Sequence, residues 1–166
     1  MFELNKTEEV NRLIAITKSD SGISGPELAK AHIELGKLLG KCMDIDPDNT
    51  TVVAILRGGI FLAQGIYFET GCKFETFDLK HQEFIRPKTR DIILVDSVVN
   101  TGATIKQFIT SDMRLACCVI NEKAVPLFDS QLYTVRVSKN SFIGSDVKSQ
   151  HGQIGPDTTM RLFNQI

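Results

Sequence analysis

Asp91-Ile92-Ile93-Leu94-Val95-Asp96-Ser97-Val98-Val99-Asn100-Thr101-Gly102-Ala103-Thr104 is the most informative stretch of this 166-residue chain. Its four-residue apolar run, Ile92–Val95, has no polar alternation, the pattern of a strand buried on both faces of a parallel sheet. Asp96 stands at the end of that run. A turn of small and hydroxyl-bearing residues follows, and the spacing predicts that it opens a helix over Ala103–Thr110. Such a turn suits a phosphate monoester. Gly102 lets the backbone approach closely, successive N–H groups converge at a helix start, and Thr101 and Thr104 add hydroxyls. Asp96 is placed to accept hydrogen bonds from vicinal hydroxyls of a ribose. The same residues, taken alone, also fit a strand end, an exposed acid and a Thr-capped helix without a ligand.

Upstream, Val52–Leu56 is a second continuous apolar run, followed by Arg57-Gly58-Gly59. Ile60–Thr70 reads as a helix stopped by Gly71, and Lys73–Leu79 as a weaker strand. Downstream, Leu115–Ile120 and Leu132–Val137 read as strands. Before the first run, Ser24 and Glu27 form a capping-box pair with Pro26 between them, and Leu28, Ala31, Leu35 and Leu38 share one helical face. Val10, Leu13, Ile14 and Thr17 mark an earlier helix. The alternation predicts an α/β fold, a doubly wound, mostly parallel sheet flanked by helices. In such sheets ligands sit outside the carboxyl ends of the strands. Arg57-Gly58-Gly59 therefore falls where a guanidinium and backbone amides can meet one anion. An ordinary Gly-Gly turn beside a solvated arginine fits equally.

Nineteen basic residues face twenty acidic ones, which argues against a protein held on nucleic acid or anionic lipid by charge alone. Hydrophobic residues make up 42 %, enough for a sizeable core. The cysteines, Cys42, Cys72, Cys117 and Cys118, form no C-x-x-C pair and are expected as buried, reduced thiols of a cytoplasmic protein. Neither a signal peptide nor a membrane span is expected.

The Asp91–Thr104 string resembles the PRPP-binding signature of type I phosphoribosyltransferases: apolar residues, two acids, two apolar residues, and a small-residue turn with T-G. Ser97 replaces the second acid; uracil phosphoribosyltransferases also lack it, carrying proline there. Ala54-Ile55-Leu56-Arg57-Gly58-Gly59 resembles the pyrophosphate loop of the uracil enzymes, I-L-R-A-G. The tail, Gly155-Pro156-Asp157-Thr158-Thr159-Met160-Arg161-Leu162-Phe163, is similar to their G-D-x-G-D-R-x-F ending at Asp157, Arg161 and Phe163, with its second Gly-Asp missing. Ser141-Phe142-Ile143-Gly144 resembles their base-reading G-Y-I-V-P stretch. A purine-type reading of Lys139 with Phe142 is the alternative there, although Asn100 stands where 6-oxopurine enzymes place an acid.

The resemblance covers roughly Thr51–Phe163. It implies one domain over 1–166, with a core at about 25–137 and a hood from 138–166, which the N-terminal helix would join. It implies transfer of ribose 5-phosphate from PRPP to uracil, with Mg²⁺, in a homodimer or higher homo-oligomer. Asn100, Thr101, Gly102, Ala103 and Thr104 would hold the 5-phosphate. Arg57, Gly58, Gly59 and Arg86 would hold the pyrophosphate. Phe142, Ile143, Gly144 and Asp157 would meet the base, and Asp96 and Asp157 the metal. Asp96, Arg57 and Asp157 would be the catalytic set. Asp78–Arg90, with Lys80 and His81, occupies the family's lid position, where a plain hairpin fits as well. Asp146–Ile154 is expected as a surface loop. The rivals are a purine enzyme and a non-catalytic PRPP or nucleotide sensor.

Overall fold

The computed structural model describes residues 1–166. A two-residue strand, β1 (Phe2–Glu3), leads into helices α1 (Glu8–Thr17) and α2 (Gly25–Cys42). Strand β2 (Thr50–Ile55), helix α3 (Ile60–Thr70) and strand β3 (Lys73–Phe77) follow. Strands β4 (Asp91–Val99), β5 (Met113–Asn121) and β6 (Leu132–Ser138) come next, with no α-helix between them. The last elements are two short strands, β7 (Ile143–Ser145) and β8 (Ile154–Pro156), and a helix, α4 (Thr158–Leu162).

β1 to β6 form one sheet in the order β1-β6-β5-β4-β2-β3, and every pair is parallel. The apolar runs take its centre: all of β2 is buried, and Ile92–Val95 are wholly covered. The chain winds from β2 to β3 in one direction and from β4 through β6 in the other. β2 and β4 therefore flank the switch point where a parallel sheet leaves a crevice at its carboxyl edge. Right-handed crossovers then place α3 on one face and the later connections on the other. Leu13, Leu35, Leu62 and Ile66 accordingly pack on Val52, Ala54, Ile93 and Val95. Val53, Ile55, Ile92 and Leu94 turn to the opposite face, towards Ile105 and Phe128.

That second face carries no α-helix. The helix expected over Ala103–Thr110 is only a 3₁₀ turn at Ile105–Gln107, with others at Val125–Leu127 and Asp129–Gln131. Three threonines and two isoleucines in Thr101–Thr110 make it a poor helix former. Residues 78–90 are not a hairpin, since β3 and β4 run parallel to β2 and the connection must cross back along the face. Phe84 from this crossover meets Phe77 and Phe108, with ring centroids 5.1–5.3 Å apart. These rings cover the sheet where a helix would otherwise lie.

On the helical face, α2 and α3 touch backbone to backbone. A Cβ on Gly36 would stand 2.2 Å from the Leu62 carbonyl oxygen, and one on Gly65 would stand 2.0 Å from that of Ile33. α1 starts at Thr7, whose hydroxyl accepts the Val10 N–H at 3.2 Å. The Ser24 capping box does not form: Ser24 precedes α2 in extended conformation but makes no side-chain cap bond. α3 ends as expected on Gly71, which is left-handed at φ 68°. Cys72, Cys117 and Cys118 are buried, whereas Cys42, in the last turn of α2, is exposed. No helix is long and apolar enough to cross a membrane.

Candidate functional site

The loops after β2 and β4 meet at the switch point. A Cβ on Gly58 would lie 3.0 Å from Ser97 Oγ, 3.1 Å from Asp96 Oδ1 and 3.2 Å from Thr159 Oγ1. Two separate segments, the end of β4 and the start of α4, thus converge on one glycine. The peptide bond between Leu56 and Arg57 is cis. The amides of Arg57 and Gly58 donate to no group of the chain, whereas Gly59 N–H is committed to the Ile55 carbonyl at 2.9 Å. Gly59 has a packing role instead, since a Cβ there would come within 2.0 Å of the Val95 carbonyl oxygen. The Arg57 guanidinium stacks over the Phe163 ring at 4.9 Å and donates to Gln165 Oε1 at 2.9 Å.

Across from this loop lies the Asn100–Thr104 turn. Gly102 has φ 70°, a conformation that favours glycine. The amides of Thr101, Gly102, Thr104 and Ile105 have no partner in the chain. The Ala103 N–H instead donates to the Thr101 hydroxyl at 3.3 Å, an ST-turn that folds the loop. Successive free amides around a left-handed glycine make an anion cradle without a helix behind it. Gly102 is also sterically tied to the core. A Cβ on it would meet the buried Phe128 ring at 2.6 Å, so a side chain here damages the fold as well as the cradle.

Asp96 lies between the two loops. Removal from water pushes its carboxyl up to about 7, against the pull of the Ser97 and Val98 N–H groups. The Ser97 N–H donates to Oδ1 at 2.7 Å. The folded chain therefore holds this proton longer than the unfolded one, whose Asp releases it at about 3.8. The group costs stability progressively as pH rises from about 4 to 7 and contributes nothing below that window. No group of three or more His, Cys, Asp or Glu side chains converges anywhere in the chain. One carboxyl beside the Ser97 and Thr159 hydroxyls fits a cation held largely by ligand oxygens and water, not a protein cage.

Residues 139–163 roof the carboxyl edge. Asn100 Nδ2 donates to the Phe142 carbonyl at 2.7 Å, which ties the turn to the roof. The Ile143 N–H is committed to the Gln153 carbonyl at 2.9 Å, and its side chain is 55 % exposed. Gly144 packs so closely on Asp157 that a Cβ would stand 2.7 Å from Oδ2. Asp157 caps α4, its Oδ1 accepting the Met160 N–H at 2.9 Å. Arg161 is buried and donates to the carbonyls of Ile23, Thr17 and Ile16 and to the Ser21 hydroxyl, pinning the roof to the α1–α2 loop.

Beneath the roof is a cavity of about 490 Å³ at the carboxyl ends of β4, β5 and β6. Val98, Asn100, Asn121, Arg136 and Phe142 line it, and His32 closes its floor. Burial pushes His32 down to about 4, the Leu28 carbonyl opposing and the Arg161 charge assisting, so its imidazole is neutral. Gln150, Gly152 and Gln153 form a wall, so the Asp146–Ile154 insertion belongs to the cavity and is more than a surface loop. Thr159, Asn121 and Arg136 escaped the sequence reading. Asn121 and Arg136 could have been found, because the strand-end rule applies to β5 and β6 as it does to β2 and β4.

The residues of the 78–90 crossover lie elsewhere. Arg86 pairs with Asp112 at 2.6 Å, ahead of β5 and so at the amino edge of the sheet, opposite Arg57 and Asp96. It is therefore not brought to the pyrophosphate loop. His81 is exposed and bonds to Asp78 at 2.8 Å, a local turn contact, and Lys80 N–H donates to the same carboxylate.

No family model and no curated protein matches the chain. Solved structures do. A protein from Aquifex aeolicus, AQ2163, superposes with a TM-score of 0.68 at 13 % identity, over 86 % of this chain and 92 % of that one. TT1426 from Thermus thermophilus gives 0.50 at 15 % identity, over 81 % and 97 %. A hypoxanthine-guanine-xanthine phosphoribosyltransferase gives 0.51 at 13 % identity, over 77 % and 90 %. Likeness at such identity is likeness of fold. The chain has the type I phosphoribosyltransferase fold, a parallel six-stranded sheet flanked by helices.

Proposed function

We propose that the chain is a phosphoribosyltransferase, joining the ribose 5-phosphate of PRPP to a ring nitrogen of a nucleobase and releasing pyrophosphate. One observation carries this reading. Two sets of unpartnered amides, those of Arg57 and Gly58 and those of Thr101, Gly102, Thr104 and Ile105, flank a single carboxyl at the sheet's switch point. The Thr101–Thr104 turn takes the 5-phosphate and Asp96 takes the ribose hydroxyls. Arg57 and the Gly58 amide take the pyrophosphate, and Asp96 would help hold a Mg²⁺ that neutralises its charge. The base nitrogen forms a bond to ribose C1 as the C1–oxygen bond breaks, and that electron pair leaves on pyrophosphate. Preorganised donors aimed at the departing charge are the main catalytic contribution. Residues 138–166 act as the hood over the base, in a cytoplasmic homo-oligomer.

Ionisation of Asp96 gives a test by pH. Vicinal hydroxyls and a cation favour the carboxylate, and the free protein holds this group half-neutral near pH 7. PRPP affinity in Mg²⁺ is expected to rise about tenfold from pH 6 to pH 8, with proton release on binding. Asp96→Asn should flatten that rise and weaken binding at pH 8 by about tenfold, the value of a hydrogen bond to an ionised acceptor. An unaltered pH profile in the variant would remove Asp96 from the ribose site.

Uracil is the base we assign. Asn100 cannot serve as the acid that handles a 6-oxopurine, and its amide is occupied by the Phe142 carbonyl. The expected result is pyrophosphate release with uracil and little or none with hypoxanthine, guanine or adenine. A site built around a pyrimidine's polar edge can reject the wrong partner by up to about 10⁴. Faster turnover with a purine overturns the assignment. PRPP binding without turnover on any base identifies the chain as a sensor.

A further inference from the structure

We propose that His32 on α2 selects the base, its Nε2 accepting a hydrogen bond from a ring N–H, a role that rests on the phosphoribosyltransferase reading. Its Nδ1 lies 3.0 Å from the Leu28 carbonyl oxygen, one helical turn earlier. A carbonyl oxygen only accepts, so the ring proton sits on Nδ1 and Nε2 keeps a lone pair. Burial pushes the imidazole down to about 4, which leaves that lone pair unprotonated in neutral solution. Nε2 has no hydrogen-bond partner in the chain. Among covered residues, the one fully enclosed side-chain nitrogen or oxygen without a partner is Arg136 Nε, so His32 Nε2 reaches open space. That space is the cavity under the roof, which His32 lines.

Several other polar groups around the cavity are already committed. The Thr17 hydroxyl donates to the Ile14 carbonyl at 2.9 Å. Asn121 donates to the Asn140 carbonyl at 3.2 Å and accepts the Lys123 N–H at 3.0 Å. The main chain of the roof is engaged as well, the Phe142 carbonyl by Asn100 and the Ile143 N–H by Gln153. His32 Nε2 is thus a buried acceptor held in one tautomer, and Arg136 Nε is a donor on the same walls. Unpaired groups of this kind cost stability, and a ligand that pairs them recovers the loss. A free acceptor and a free donor complement the N3–H of uracil and the carbonyl beside it. Cytosine reverses both, with a lone pair at N3 and an amine next to it, so each protein group would meet its own kind. A 6-oxopurine carries the same N–H beside a carbonyl. His32 therefore selects the polar edge of the base, not the size of its ring.

The test measures kcat/KM of the full chain, with PRPP and Mg²⁺, for uracil and 3-methyluracil. Methylation at N3 removes the proton and leaves the attacking N1 untouched. The parent is expected to prefer uracil by at least about a hundredfold, because the methyl group leaves a buried acceptor unpaired. His32→Leu should shrink that ratio by at least about tenfold, through a higher KM for uracil at similar kcat. His32→Gln, whose amide oxygen can accept, should recover part of the ratio. The Leu28 carbonyl keeps its helical bond from the residue 32 amide in both variants. Equal use of the two bases by the parent overturns the proposal, as does an unmoved ratio in His32→Leu. Nitrogen-15 NMR of the parent gives a readout that needs no variant. The His32 Nε2 resonance should shift on binding uracil and not with 3-methyluracil, and a resonance that uracil leaves unmoved overturns the proposal. If no base turns over, calorimetry and the same spectra decide independently. Uracil binding that shifts Nε2 upholds the His32 site while the transferase reading fails, and absence of uracil binding removes the His32 site as well.

Discussion

Thr104→Asp is expected to lower PRPP affinity by at least about a hundredfold while leaving the fold intact. Thr104 is exposed and makes no side-chain bond, so the substitution removes little from the native state. It does place a carboxylate at the rim of a cradle whose Thr101, Gly102 and Ile105 amides are otherwise free. Two like charges about 4 Å apart repel by about 4 kcal/mol at an effective dielectric constant near 20, and solvent at the rim reduces this. A residual ~2.7 kcal/mol corresponds to the hundredfold loss. Calorimetry with PRPP, beside a circular dichroism spectrum, measures both parts. Unchanged affinity in the folded variant would mean that the 5-phosphate binds elsewhere. Gly102→Val is a poorer probe, because its side chain would strike Phe128 and unsettle the fold.

The largest stability effect is expected at Gly65. A single methyl there would stand 2.0 Å from the Ile33 carbonyl oxygen and 2.8 Å from Gly36 Cα. α2 and α3 cannot separate to admit it without opening the layer of Leu35, Leu39, Leu62 and Ile66, all fully buried. Gly65→Ala should therefore cost about 3 kcal/mol, at the upper end of overpacking effects. In a domain of this size that lowers Tm by about 10 °C. Gly71→Ala is the control. It is left-handed with nothing within 4 Å, so only backbone strain is at stake, about 1 kcal/mol. A Gly65 variant no less stable than the Gly71 variant would show that the helices do not need their close approach.

The two apolar runs made the centre of the fold legible, because only a strand buried on both faces has no reason to alternate. Gly71 and Leu28, Ala31 and Leu35 placed α3 and α2 for equally local reasons. The second face was not legible. Thr101–Thr110 has the amphipathic spacing of a helix, but β-branched residues and the pull of Phe108 towards Phe77 and Phe84 favour a 3₁₀ turn. Arg57, Gly58, Asp96 and the Thr101–Thr104 turn were legible because each follows a central strand directly. Arg86 was misplaced because a chain crossing back along a face carries its charges to the far edge, and nothing local records that direction. The roles of Gly36 and Gly65 were equally hidden, since each glycine gains meaning only from the helix opposite.

Arg161 has a consequence in the order of synthesis. Its acceptors at Ile16, Thr17 and Ile23 lie 138 to 145 residues before it in the chain. Emerging from the ribosome, the chain completes β2, β4 and the anion cradle well before this guanidinium exists. Until then the α1–α2 loop lacks the donor that holds it, and the cavity stands open to water. The sheltered chamber is therefore completed well after the sheet's centre, by bonds that span 138 to 145 residues of chain. A nascent chain stalled before Arg161 would have the Thr101–Thr104 turn in place but no bond to hold the roof over the cavity.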